Sequence, residues 1–112
     1  MPRDLAFMLD VAHAARLALS FVEGMDQEQF EVDVKTQSAV MHQIIILGEA
    51  ARRTSVEFRV GHPELPWPQM MGMRNRLIHE YDKIKLDLLW STLEHDLPTL
   101  LRIIEPMISD EG

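Results

Sequence analysis

Asp33-Val34-Lys35-Thr36-Gln37-Ser38-Ala39-Val40-Met41-His42-Gln43-Ile44-Ile45-Ile46-Leu47-Gly48-Glu49-Ala50-Ala51-Arg52-Arg53 decides the fold class. Asp33 stands where an N-cap carboxylate accepts from the first free backbone N–H groups. The residues after it follow helical periodicity, so a helix is expected over about residues 34–53. Ile44 to Leu47 makes that helix apolar around most of its circumference. Such a helix is either central in a bundle or shared with a second copy of the chain.

The same periodicity extends in both directions, and no stretch alternates with a period of two. Leu5, Met8, Leu9, Ala12, Ala15, Leu19 and Val22 form one stripe, with Gly24 as its natural stop. Asp26 and Gln29 have the spacing of a capping box and open a short helical turn. A short helix is expected near residues 55–60, ending at Gly61. Pro63, Pro66 and Pro68 then forbid a regular helix through the connector, but Pro68 can open the next helix as its first residue. That helix covers about residues 68–80. The last begins near Asp87 and carries Leu86, Leu89, Leu93, Leu97, Leu100, Ile104 and Met107 at spacings of three and four. Pro98 lies inside this pattern and should kink the helix near Glu94. The expectation is a single all-α domain over residues 1–112, an antiparallel bundle of four main helices plus one or two short ones.

Composition narrows the chemistry. The 112 residues contain no cysteine, which excludes disulfides, thiolate metal sites and a thiol nucleophile. The first residues lack the features of a signal peptide, and no apolar run approaches the ~18 residues of a membrane span, so a cytoplasmic location is expected. A net charge of −7 argues against a general nucleic-acid coat protein. The charge is uneven, however. Residues 1–51 carry 3 basic and 8 acidic groups, residues 52–85 carry 7 and 4, and residues 86–112 carry 1 and 6. One basic strip in an acidic body suits a local phosphate contact or a basic partner; equally, the acidic excess serves solubility.

The basic strip holds Arg74-Asn75-Arg76-Leu77-Ile78-His79-Glu80-Tyr81, which includes the only tyrosine. On a helix Asn75 and His79 share a face. Arg74 and His79 differ by about 140° and roughly 7.5 Å along the axis, so Arg74 must lean round to share an anion with the imidazole. Tyr81 reaches the same place only if the helix ends or loosens there. Histidine can donate or accept a proton near neutral pH, and arginine offers a planar fork of donors to phosphate. Together they suit metal-free cleavage of RNA. Each chain has one such histidine, so an acid and a base together require a homodimer. By spacing alone the cluster also reads as a solvated face with a core tyrosine.

Glu49 follows Gly48 in a helix expected to pack on the motif helix, where it can pair with Arg74 or Arg76 or stand free at the surface. Asp10 and His13 have the spacing of a carboxylate–histidine metal site but lack a second matching helix pair, so no metal or other cofactor is expected. His13, His42, His62 and His95 have no motif context, and Met70, Met71 and Met73 read as core.

At Arg74, His79 and Tyr81 the chain resembles the HepT toxins, a branch of the HEPN superfamily, whose signature is Arg, four residues, His, one residue, Tyr. The likeness covers nearly the whole chain: Phe30 and Asp33, Ala39-Val40, Leu47-Gly48-Glu49-Ala50-Ala51, His62-Pro63-Glu64, Pro66-Trp67, Met71-Gly72-Met73, Leu89-Trp90 and Asp96-Leu97-Pro98. Asp82-Lys83-Ile84 departs from it, standing where many relatives have an aromatic residue and a glycine. The resemblance implies a HEPN-like homodimer with both motifs at a shared cleft. It also implies a metal-independent ribonuclease toxin, paired with a minimal nucleotidyltransferase antitoxin that transfers AMP to Tyr81. Arg74 would then stabilise phosphate and His79 transfer protons, with Asn75, Arg76 and Glu49 as supporting groups. A larger assembly with the antitoxin is left open. The alternative is a catalytically silent bundle that acts as a binding partner or scaffold for the nucleotidyltransferase.

Overall fold

The computed structural model describes residues 2–109; the ends of the single-domain expectation, Met1 and residues 110–112, lie outside them. Among the described residues seven α-helices follow in order: α1 (Arg3–Phe21), α2 (Gln27–Glu31), α3 (Val34–Arg53), α4 (Val56–Gly61), α5 (Trp67–Glu80), α6 (Leu86–Ser91) and α7 (Leu97–Ser109). No strand occurs among the described residues. The fold is all-α, as expected, with α1, α3, α5 and the joined α6–α7 as the main bodies and α2 and α4 as the short ones.

Local chemistry sets most boundaries. Asp26 and Gln29 form the reciprocal capping box, each side chain accepting the other residue's backbone N–H at 2.9 Å. The Asp33 carboxylate accepts from the Thr36 N–H at 3.0 Å, and the Ser55 hydroxyl from Phe58 N–H at 3.1 Å. Gly24 adopts φ +81° in the turn after α1, the left-handed region open to glycine. Asp4 on α1 accepts from both the backbone N–H and the hydroxyl of Ser55, at 2.9 and 2.7 Å. This ties the start of α1 to the end of α3, and the two bonds hold the Asp4 carboxyl below its ordinary range.

Two details differ from the sequence expectations. The fully buried face of α1 is Met8, Val11, Ala12, Ala14, Ala15 and Ala18, while Leu5, Leu9 and Leu19 are only half-buried and Val22 lies beyond the helix. Four of these six residues are alanines, on the helix that packs most extensively against α3. Trp67 rather than Pro68 is the first residue of α5; Pro68 takes the second place, where its missing N–H is equally harmless. Around Pro98 the distortion expected near Glu94 takes the form of a π turn over Thr92–Asp96, and the Leu97 N–H donates five residues back to the Thr92 carbonyl. Proline clashes with the carbonyl four residues before it, here that of Glu94. The wider turn relieves that clash.

Helix α3 packs on both α1 and α5, so it is the central helix of the bundle. Helix α7 lies mainly on α1. The core runs through Met8, Phe30, Val40, Ile44, Leu77, Leu89 and Ile104. The connector into α5 is braced by Trp67, whose indole N–H donates to the His62 carbonyl at 2.9 Å. Helix α5 is therefore fixed at its start and along the side facing α3.

Candidate functional site

Helices α3 and α5 cross at Gly48. A Cβ at this position would lie 2.7 Å from the Met70 carbonyl oxygen and closer still to the Cβ of Arg74. Only glycine permits this approach, and the approach sets Arg74 beside the next residue of α3, Glu49. A nitrogen of the Arg74 fork lies 3.1 Å from the Glu49 carboxylate, and both side chains are about a quarter exposed. The other terminal nitrogen donates to the Asn75 side-chain oxygen at 2.7 Å. The guanidinium is thus linked to Asn75, which by helical spacing shares a face with His79. Its Nε is buried without a hydrogen-bond partner among the described residues.

Glu49 is held by three guanidinium groups. Arg52 donates two bonds to it, at 2.8 and 3.2 Å, and Arg53 one at 3.3 Å, in addition to the Arg74 pair. The Arg52 hydrogen bonds come first among the influences that set the Glu49 pKa at about 2; burial, the second largest, opposes them, and the charges of Arg52, Arg74 and Arg53 add to the lowering. Of the two partners considered for Glu49, the fold supplies Arg74. Arg76, two residues on, points away and lines an apolar groove on the other flank of α5.

His79 lies in the last turn of α5, exposed, with no hydrogen bond or ion pair to another side chain among the described residues. The chain leaves the α-helix at Glu80 and makes a single 3₁₀ turn over Tyr81–Lys83. Tyr81 is 67% exposed, so it is not a core residue. The condition for Tyr81 to leave the ideal helical path is met, because the helix ends there.

The groove beside Arg76 has a volume of about 550 Å³. Ile44 and Leu47 form its floor, with Met70 and Met73 on one wall and Leu97, Leu100 and Ile103 on the other. His95, which lies near Glu94 at 3.2 Å, sits on its rim with Asp96. Elsewhere, His62 stacks on Phe58 with centroids 4.1 Å apart and contacts Glu64 at 3.1 Å, a structural role. Asp10 and His13 are exposed, and no three His, Cys, Asp or Glu side chains converge among the described residues. Arg52 and Arg53 were not anticipated as partners of Glu49, although their spacing from it, three and four residues, was a signal for pairing; the convergence with Arg74 depends on the packing of α5 on α3.

Comparison with known proteins adds an independent line. A family model described as "Ribonuclease HepT-like" matches residues 11–107. The chain is 38% identical over 94 residues to "Probable ribonuclease HepT" of Thermococcus cleftensis, covering 84% of this chain and 86% of the relative. Two proteins of Methanocaldococcus jannaschii with provisional RNase names are 35% and 30% identical over 104 and 105 residues. They cover 92% and 94% of this chain, and 95% and 87% of the relatives. No solved structure matches the chain.

Proposed function

The chain belongs to the ribonuclease HepT-like family, and from that membership we propose that it is an endoribonuclease that cuts RNA without a metal ion, using Arg74 and His79. The observation that carries the assignment is the Arg74 fork, tethered to Glu49 and Asn75, with an exposed His79 on the same helix five residues on. A tethered guanidinium meets a phosphate without first losing side-chain freedom. Arg76 is more remote from this fork and contributes through the field rather than by contact.

The reaction needs two proton transfers. A neutral His79 takes the proton of a ribose 2′-hydroxyl, and that oxygen attacks the adjacent phosphorus. The phosphorus–O5′ bond breaks as a protonated His79, from the second copy in a homodimer, delivers a proton to the leaving oxygen. Arg74 binds the non-bridging oxygens as negative charge gathers on them. The products are a 2′,3′-cyclic phosphate and a 5′-hydroxyl, and the two imidazoles have exchanged protonation states. The apolar groove between α5 and α7, which the chain leaves unfilled, favours the homodimer.

The same reading makes the protein the toxin of a toxin–antitoxin pair. A cognate nucleotidyltransferase would form a phosphodiester between AMP and the Tyr81 oxygen, releasing pyrophosphate from ATP. Its support is the exposed phenol two residues beyond His79. The bulky anion would occupy space and charge needed by the RNA phosphate. Co-expression with that enzyme should add AMP-sized mass to the wild-type chain and none to Tyr81→Phe; equal addition to both would remove Tyr81 from the scheme.

Purified chain and end-labelled RNA test the central reading. Cleavage should persist in chelator, yield cyclic phosphate ends, and fall about 10²–10⁴-fold in folded Arg74→Ala and His79→Ala chains. In mixtures with wild-type chains, full per-site activity of the heterodimer with His79→Ala would refute the two-histidine mechanism. Absence of any cleavage by a folded wild-type dimer would favour the scaffold reading.

A further inference from the structure

We propose that Arg52 and Arg53 form a second phosphate subsite that holds the RNA backbone next to the phosphate engaged by Arg74. The proposal rests on the ribonuclease reading and names a further contact for the same substrate. Three guanidinium groups from two helices converge on one carboxylate, Glu49. This leaves a local excess of positive charge on a chain whose net charge is −7. The carboxyl end of α3 offsets only about half a charge of that excess.

The donors at this cluster are unevenly used. Arg53 reaches Glu49 through Nε alone, so both its terminal nitrogens have no protein partner among the described residues. Arg52 uses Nε and one terminal nitrogen and leaves the other without one. Both side chains are more than half exposed, at 54% and 61%. Glu49 therefore fixes the stems and points the remaining donors outward. A phosphate can bind them while Glu49 keeps its two bonds from Arg52, so entry of the anion leaves no charge stranded. Glu49 and Arg53 are one helical turn apart, ~6 Å along the axis. The side chains reach back across that rise, so all three guanidinium heads lie within 3.3 Å of the one carboxylate and the subsite directly adjoins Arg74.

A solvated ion cluster that only closes the end of α3 would show the same short contacts, so the test must read RNA and not stability. Binding of a fluorescent single-stranded 2′-O-methyl oligonucleotide, which has no nucleophilic hydroxyl to cleave, is followed by anisotropy at several salt concentrations. The Arg52→Gln/Arg53→Gln chain should bind roughly tenfold more weakly, and its dependence of log affinity on log salt should flatten by about 1.4. Arg52→Lys/Arg53→Lys should recover most of that slope. Arg16→Gln/Arg102→Gln removes the same charge on α1 and α7, away from the Asp4–Ser55 tie, and should keep the wild-type slope. With cleavable RNA, the Gln pair should raise KM far more than it lowers kcat. Unchanged slope in the Gln pair, or equal flattening in the Arg16/Arg102 control, overturns the subsite; so does a wild-type chain that fails to bind the oligonucleotide. Should the wild type bind with the expected slope differences but cut no RNA, the subsite stands and the nuclease assignment falls.

Discussion

The two flanks of α5 are built differently. On one, Gly48 lets α3 press against Met70 and Arg74 with no room for another carbon, and Glu49 ties the guanidinium in place. On the other, Gly72, Met73 and Arg76 face a groove of about 550 Å³ that α7 does not fill. The close flank holds the charge that must be positioned; the open flank offers apolar surface to a second molecule. The proposed role of Arg74 would benefit from such a rigid seat, and the proposed homodimer from a groove left open. One helix carries both flanks because Arg74 and Arg76, two residues apart, project about 200° from one another.

The same substitution on each flank gives the sharpest contrast. Gly48→Ala should destabilise the fold by about 2–3 kcal/mol, because the clash with the Met70 carbonyl and Arg74 Cβ outweighs the gain in helix propensity. Gly72→Ala meets nothing within 4 Å and should stabilise by up to ~1 kcal/mol. Urea titrations of both variants measure the difference, and equal shifts would erase the distinction between the flanks.

Acid probes the tether itself. The Glu49 pKa is depressed, from an ordinary 4.5 to about 2. Its contribution to stability is therefore complete above about pH 4.5 and is lost as pH falls toward 2. The gap in urea midpoint between wild type and Glu49→Gln should be full at pH 7 and shrink across that acidic window. A gap that does not change between pH 7 and pH 2.5 would mean that Glu49 contributes little through its charge.

Most of the architecture could be read from local chemistry. Asp26, Asp33 and Ser55 accept from backbone N–H groups within their own turns, and the trouble caused by Pro98 depends only on the residues just before it. The buried face of α1 was less legible, since closeness between helices favours alanines over the larger leucines that mark a stripe in sequence. For the site, Asn75 and His79 share a face by spacing alone, while the Arg74–Glu49 pair depends on a crossing that only the folded chain specifies. Gly48 was visible as a residue, but the partner it admits was not. Arg52 and Arg53 stood at pairing distance from Glu49 all along; their convergence with Arg74 required the tertiary structure.

In the proposed mechanism His79 moves the protons for RNA cleavage at a phosphate held by Arg74. The most direct test is the initial rate of labelled-RNA cleavage in chelator by wild-type and His79→Ala chains with matching circular dichroism and melting. A fall of at least about 100-fold is expected. Equal rates in the two proteins would contradict it.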